Sequence, residues 1–158
     1  MGPCPGGGPH LFAPVAGQGR QRIGGGQGVE FCLGEGRAMP QLGHTDEGLA
    51  LAGYQALVPD LYRGKHTVEE EEAHHLMTGL DFGDAASQDI RGAVQFLKAR
   101  APKVGLTGYC MGGALTLLAA TQSPELDAAV IWYGCPPLDY IDASKIKIPL
   151  QGHWATQD

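Results

Sequence analysis

The stretch KVGLTGYCMGGALTLLAA, residues 103–120, decides the fold class of this chain. Its first five residues are typical of a short buried strand, and the residues from Met111 onward form an almost wholly apolar run of helical length. Between them, Gly108-Tyr109-Cys110-Met111-Gly112 fits the G-x-nucleophile-x-G pattern of a nucleophile elbow, with Cys in the place of Ser. The pattern predicts a strand, a sharp turn that carries Cys110, and a helix.

The elbow pattern assigns a chemical role to two residues. A nucleophile on such a turn needs unusual backbone angles, and glycines flank it because side chains there would clash with the strand and the helix. The positive end of the helix dipole favours a thiolate at Cys110, and the backbone N–H of Met111 is a candidate oxyanion donor. The alternative is a structural Cys in a glycine-rich contact between a helix and a sheet.

Strands and helices alternate on both sides of the elbow. Thr67 and Glu70 have the spacing of a capping box at the start of an acidic helix, and Pro102 ends a second helix whose apolar residues recur at helical spacing. Strands that alternate with helices indicate an α/β fold with a parallel sheet. The predicted strands cover residues 54–60, 103–107, 126–133 and 146–152, and the further helices cover 67–77 and 84–100.

The first 43 residues differ from the rest in composition. They hold 13 of the 25 glycines and five of the 11 prolines, and their apolar residues come in ones and twos. Such a segment buries too little surface to offset the entropy lost on ordering. We predict an irregular segment over 1–43 and a folded domain over 44–158. GGGQG at 24–28 lacks the GK[ST] of a phosphate loop.

Composition excludes several classes of function. The net charge of −6 argues against nucleic acid and anionic membranes as partners, and no apolar run is long enough to span a bilayer. The four cysteines, Cys4, Cys32, Cys110 and Cys135, form no CxxC pair or zinc-like spacing, so we expect no metal site and no cofactor. Without a recognisable secretory signal, free thiols favour a cytoplasmic location. The sequence does not indicate an oligomeric state.

A candidate acid follows the last predicted strand. In enzymes with a nucleophile elbow the order is nucleophile, acid, His, and Asp158 comes after the second strand beyond Cys110. A solvated turn residue is the alternative for Asp158. No histidine follows it in this chain. His153 is expected to pack beside the site rather than act as the base, and the adjacent His74 and His75 are interpreted as surface residues.

Residues 53–158 resemble the dienelactone hydrolase family, also called carboxymethylenebutenolidases. This resemblance implies an incomplete α/β-hydrolase fold with about four parallel strands and flanking helices. It also implies a Cys-His-Asp triad with Cys110 as nucleophile and Asp158 as acid, and a role for Arg63 in holding a substrate carboxylate. The matching segments are GYQALVPDLYRGK (53–65), FGDAASQDIRGAVQFL (82–97), KVGLTGYCMGGALTLLAA (103–120), LDAAVIWYGCPP (126–137) and IKIPLQGHWATQD (146–158).

The expected function is therefore hydrolysis of a small carboxylic ester or lactone through a thioester on Cys110. Two alternatives stay open: an inactive truncated or frame-disrupted fragment of such an enzyme, and a non-enzymatic interaction module. Because this chain lacks the triad His, we expect it to turn over dienelactone very weakly or not at all.

Overall fold

The computed structural model describes residues 9–14, 24–25, 29–33, 49, 54–65 and 67–157. Seven strands and four α-helices lie in this part of the chain, together with one π-helical and two 3₁₀ segments. The strands are β1 (Pro9–Pro14), β2 (Gly24–Gly25), β3 (Val29–Leu33), β4 (Tyr54–Pro59), β5 (Gly105–Tyr109), β6 (Ala128–Trp132) and β7 (Leu150–His153). The α-helices are α1 (Glu70–Thr78), α2 (Phe82–Asp84), α3 (Arg91–Lys98) and α4 (Met111–Gln122). The 3₁₀ segments are Leu138–Tyr140 and Ala143–Lys145.

The strands form one mixed sheet in the order β2-β3-β4-β1-β5-β6-β7. Strands β5, β6 and β7 are parallel and flanked by helices, which confirms the predicted α/β class. Strand β1 lies between β4 and β5 and is antiparallel to both, so the four predicted strands share one direction although β4 is not paired with β5. Strand β4 therefore runs in the same direction as β5 and ends at the same edge of the sheet.

Three strands lie inside the glycine-rich segment that the sequence predicts to be irregular. Leu11 of β1 is in register with Leu57 of β4 on one side and with Leu106 of β5 on the other. Pairing between two strands satisfies backbone N–H and C=O groups whatever the side-chain pattern is, so these strands form without a regular alternation of apolar residues. The other residues of 1–43 lie outside the described part, and the division into 1–43 and 44–158 stays a prediction.

The predicted helices are present with changed ends. Helix α1 begins at Glu70, and Thr67 Oγ1 accepts from the N–H of Glu69 at 3.1 Å, so the expected capping box is not formed. The helix predicted over 84–100 is α2 and α3 joined by the π-helical segment Ala85–Ile90. Within the described ranges, no helix has both the length and the apolarity required to cross a membrane.

The core lies between the sheet and the helices α3 and α4. Leu106 of β5, Leu115 of α4 and Leu97 of α3 are fully buried, and each contributes about 1.5–3 kcal/mol by leaving water. This packing fixes β5 against α4 and thereby fixes the turn between them.

Candidate active site

The turn between β5 and α4 has the strained geometry that the elbow pattern predicts. Strand β5 ends at Tyr109, helix α4 begins at Met111, and Cys110 between them has φ 53° and ψ −118°. A non-glycine residue in this region costs of order 1–3 kcal/mol, which the surrounding structure must offset. The Cys110 side chain is free and exposed, so its thiol is accessible to a substrate.

Close backbone contacts hold this turn against the end of β6. The N–H of Cys110 donates to the carbonyl of Trp132 at 3.0 Å. A Cβ on Gly108 would overlap the carbonyl of Gly112, and one on Gly134 would overlap the carbonyl of Cys110. Glycine is therefore required at both positions, and the glycine at 134 is a part of the elbow that the sequence pattern did not identify.

The start of α4 supplies backbone donors beside the thiol. The first intrahelical bond runs from the N–H of Ala114 to the carbonyl of Cys110 at 3.1 Å. The N–H groups of a helix's first turn lack intrahelical acceptors, and Met111 is the first residue of α4. The sequence-predicted donor is therefore next to the predicted nucleophile, where it could stabilise an oxyanion.

An aromatic row crosses the carboxyl ends of the three parallel strands. Tyr109, Trp132 and His153 are in register with one another on β5, β6 and β7. The Trp132 ring stacks on His153 with centroids 4.1 Å apart and on Tyr109 with centroids 5.5 Å apart. Neighbouring strands are about 4.8 Å apart, so β7 places His153 two strand spacings from β5, with Trp132 between.

Arg63 lies in the turn that follows β4, at the same edge of the sheet. Both Arg63 and Gly64 have positive φ, and the carboxylate of Asp60 accepts from the N–H of Gly64 at 2.6 Å. The Arg63 guanidinium is in an ion pair with Asp84 and lies 3.9 Å from a carboxylate oxygen of Asp89. The arginine is thus already engaged by two acidic residues.

Asp89 is the functional candidate that the sequence reasoning missed. It is 1% exposed, and its Oδ1 has no hydrogen-bond partner among the described residues. Burial raises the pKa of Asp89, and the positive charge of Arg63 opposes that rise. The sequence held one signal: Asp89 lies four residues after Ala85 and four before Ala93, on the apolar face of its helix.

A cavity of about 270 Å³ opens between this turn, α1 and the π-helical segment. Burial raises the pKa of the Tyr62 hydroxyl, which lies 3.9 Å from the sulfur of Met111. Tyr62 therefore stands between the cavity and the elbow. The lining residues are Leu61, Tyr62, Arg63, Lys65, Leu76, Gly79, Leu80, Asp81, Asp84, Ala85 and Asp89.

The structure brings Cys110, Met111 and Arg63 to one edge of the sheet. Asp158, the predicted acid, lies outside the described residues. In the described ranges, no three His, Cys, Asp or Glu side chains come together as a metal site.

A strained Cys turn between a parallel strand and a helix defines an α/β-hydrolase type of site. The chain belongs to the dienelactone hydrolase family: the model of that family matches residues 36–158. The family is one of hydrolases, and its members' names include carboxymethylenebutenolidase.

Relatives from three bacteria illustrate the match. Protein usf of Aquifex pyrophilus is 38% identical over 108 residues, which are 64% of this chain and 47% of that protein. A putative carboxymethylenebutenolidase of Aquifex aeolicus is 36% identical over 109 residues, 65% of this chain and 47% of that protein. The carboxymethylenebutenolidase of Pseudomonas putida is 34% identical over 119 residues, 67% of this chain and 50% of that protein. The chain thus spans about half the length of these relatives.

Proposed function

We propose that this protein hydrolyses a small carboxylic ester or lactone with Cys110 as the nucleophile. The observation that carries the proposal is the exposed thiol of Cys110, held at φ 53° directly before the first residue of α4. Family membership supports hydrolysis, and the name of the Pseudomonas putida relative, carboxymethylenebutenolidase, supports an ester or lactone substrate.

The proposed reaction has two halves. The Cys110 thiolate attacks the carbonyl carbon, and the N–H of Met111 donates to the oxyanion that forms. The carbon–oxygen bond then breaks, and the alcohol leaves with the proton that the Cys110 thiol gave up when the thiolate formed, so that a thioester remains on Cys110. Water attacks the thioester, which gives the carboxylic acid and restores the thiol.

The proposed triad also needs an acid and a histidine base. Asp158 would orient and charge-stabilise the base, which in this order of residues is a histidine that follows the acid. His153 is not assigned to that role, because its ring stacks on Trp132 two strands from β5. The formation of the thioester on Cys110 is therefore the step that the test below measures.

The proposal also includes a substrate-binding role for Arg63 and a location in the cytoplasm. Arg63 lines the cavity beside Tyr62, at the same edge of the sheet as Cys110, which supports a role in substrate binding. The cytoplasm is the proposed compartment, because a reducing environment keeps thiols such as Cys110 free.

The test is release of nitrophenolate from p-nitrophenyl acetate, followed by absorbance. We expect a burst stoichiometric with the wild-type chain, lost in Cys110→Ala and retained in Cys135→Ala, the matched control, since Cys135 is also exposed among the described residues. Equal release by wild type and Cys110→Ala would contradict the proposal. It would leave the inactive fragment or the interaction module as the better description.

A further inference from the structure

We propose that Asp84 sets the affinity of the cavity beside Tyr62 for carboxylate ligands. In the free protein Asp84 occupies the Arg63 guanidinium, and the carboxylate of a ligand takes its place there. Assigning that ligand to the substrate rests on the proposed function, whereas the binding itself does not. Three features support such an exchange: the turn that carries Arg63, the exposure of its ion pair, and the cavity beside it.

The turn after β4 keeps Arg63 in place without the help of Asp84. The carboxylate of Asp60 accepts from the N–H of Tyr62 at 3.0 Å and from the N–H of Gly64 at 2.6 Å. Arg63 lies between these two anchored residues and has φ 54°. Positive φ is uncommon for a residue other than glycine, and strained positions of this kind cluster at ligand-binding sites. Because these hydrogen bonds do not involve Asp84, the turn keeps its shape when the ion pair opens.

The ion pair between Arg63 and Asp84 is exposed to solvent. The Arg63 side chain is 54% exposed and the Asp84 side chain is 43% exposed. Exposed ion pairs are weak, and opening one changes an equilibrium constant by a factor of about five at most. The released carboxylate of Asp84 is hydrated again, so a ligand carboxylate can replace it at Arg63 at a small cost.

Asp89 is the buried partner of Arg63 and stays in place during the exchange. It is 1% exposed, and one of its carboxyl oxygens lies 3.9 Å from a guanidinium nitrogen of Arg63. It belongs to the π-helical segment Ala85–Ile90, and π-helical turns are frequent at functional sites. Whether charged or neutral, the Asp89 carboxyl group presents an oxygen to Arg63. The arginine therefore keeps one neighbour of the protein while it exchanges the other.

The cavity has the size and the charges for a small ring that carries a carboxylate. Its volume of about 270 Å³ is sufficient for one aromatic ring with a short substituent, and aliphatic side chains line part of it. Arg63 and Lys65 supply two positive charges to the lining. Asp81 is engaged elsewhere, because its Oδ1 caps α2 by accepting from the N–H of Asp84 at 2.9 Å. Asp84 is therefore the exposed carboxylate that competes with a ligand for Arg63.

Tyr62 connects the cavity to the elbow. Its side chain lines the cavity, and its hydroxyl lies 3.9 Å from the sulfur of Met111, the residue after Cys110. Strand β4 ends at the same edge of the sheet as β5, and ligands of α/β sheets bind at the carboxyl ends of the strands. An ester whose carbonyl lies at Cys110 and whose acyl group ends in a carboxylate would therefore extend past Tyr62 to Arg63.

The first experiment is a titration of the ¹⁵N-labelled chain with benzoate and, as the neutral probe, with benzyl alcohol. We expect benzoate to shift the amide signals of Arg63, Gly64 and Ala85. Asp84→Asn should bind benzoate about three- to fivefold more tightly than the wild type, because the competing exposed ion pair is gone, and should bind benzyl alcohol as the wild type does. The gain should disappear when Arg63→Gln is added to Asp84→Asn.

Asp139→Asn is the matched control, because it removes the same charge from an exposed 3₁₀ segment. It should leave the dissociation constant for benzoate unchanged, and the spectra report directly whether each variant is folded. Unchanged or weaker binding of benzoate by Asp84→Asn, an equal gain in the variant that also lacks Arg63, or no shift at the cavity would overturn the inference.

A second measurement connects this binding to the reaction. The nitrophenolate burst is followed with p-nitrophenyl hydrogen glutarate, whose acyl group ends in a carboxylate, and with p-nitrophenyl butyrate, which is neutral. Asp84→Asn should lower the half-saturating concentration of the glutarate ester alone and leave the maximal burst rate unchanged. Equal changes for both esters would contradict a role in specificity. The expected benzoate titration without a burst in any variant would overturn the proposed function and leave the binding role of Asp84 supported.

Discussion

Gly134→Ala should destabilise the protein by closing the space on which the elbow depends. The new Cβ would overlap the carbonyl of Cys110 and would lie 2.5 Å from the backbone nitrogen of Ala114. Both neighbours are backbone atoms and cannot rotate away, so the end of β6 and the start of α4 must separate. Overpacking of this kind costs about 1–3 kcal/mol, and two backbone collisions place the substitution near the upper end.

Gly92→Ala is the matched control for this substitution. A Cβ at Gly92 meets nothing within 4 Å, and the residue lies inside α3, so alanine should stabilise the protein by about 0.5–1 kcal/mol. Urea unfolding followed by tryptophan fluorescence measures both free energies of unfolding. Equal unfolding midpoints for wild type and Gly134→Ala would refute the reasoning that close backbone contacts at the end of β6 hold the elbow in place.

Three further predictions concern charge and thiol reactivity. Burial alone would raise the pKa of Asp127, but hydrogen bonds from Lys98, the N–H of Val104 and Lys103 outweigh it and lower that pKa to about 2. Asp127→Asn should therefore cost about 2 kcal/mol at pH 7, and urea unfolding should show the difference shrinking as pH falls from about 4 towards 2. Because burial raises the pKa of Asp89, the wild type should lose stability relative to Asp89→Asn as pH rises above 3.8, and a constant difference from pH 3 to pH 7 would contradict this. With limiting iodoacetamide, mass spectrometry should find Cys110 alkylated faster than Cys135, and equal rates would argue against an activated elbow thiol.

The elbow could be predicted from sequence because its determinants are local. Gly108 and Cys110 lie within one short stretch, and the strand and helix on either side have distinct apolar patterns. The contribution of Gly134 could not be predicted in this way. It acts through a contact with the carbonyl of Cys110 that exists only after β6 has paired with β5.

The sheet order and the ion pairs of Arg63 with Asp84 and Asp89 depend on contacts between distant parts of the chain. Strand β1 lies between β4 and β5 although about forty residues or more separate it from either partner, and no local pattern indicates that pairing. Asp89 has the helical position of a core residue, but its partner Arg63 comes from the turn after β4. Sequence analysis therefore recognised Arg63 and missed the carboxylates that engage it.

Direct detection of the acyl group on Cys110 tests the central claim. The chain would be incubated with p-nitrophenyl acetate, quenched in acid, digested and analysed by mass spectrometry. We predict an acetyl thioester on the peptide that contains Cys110, absent in Cys110→Ala and retained in Cys135→Ala. A wild-type chain with no acetyl group on Cys110, or with acetylation confined to Cys135 or to lysines, would contradict the assignment of Cys110 as the nucleophile.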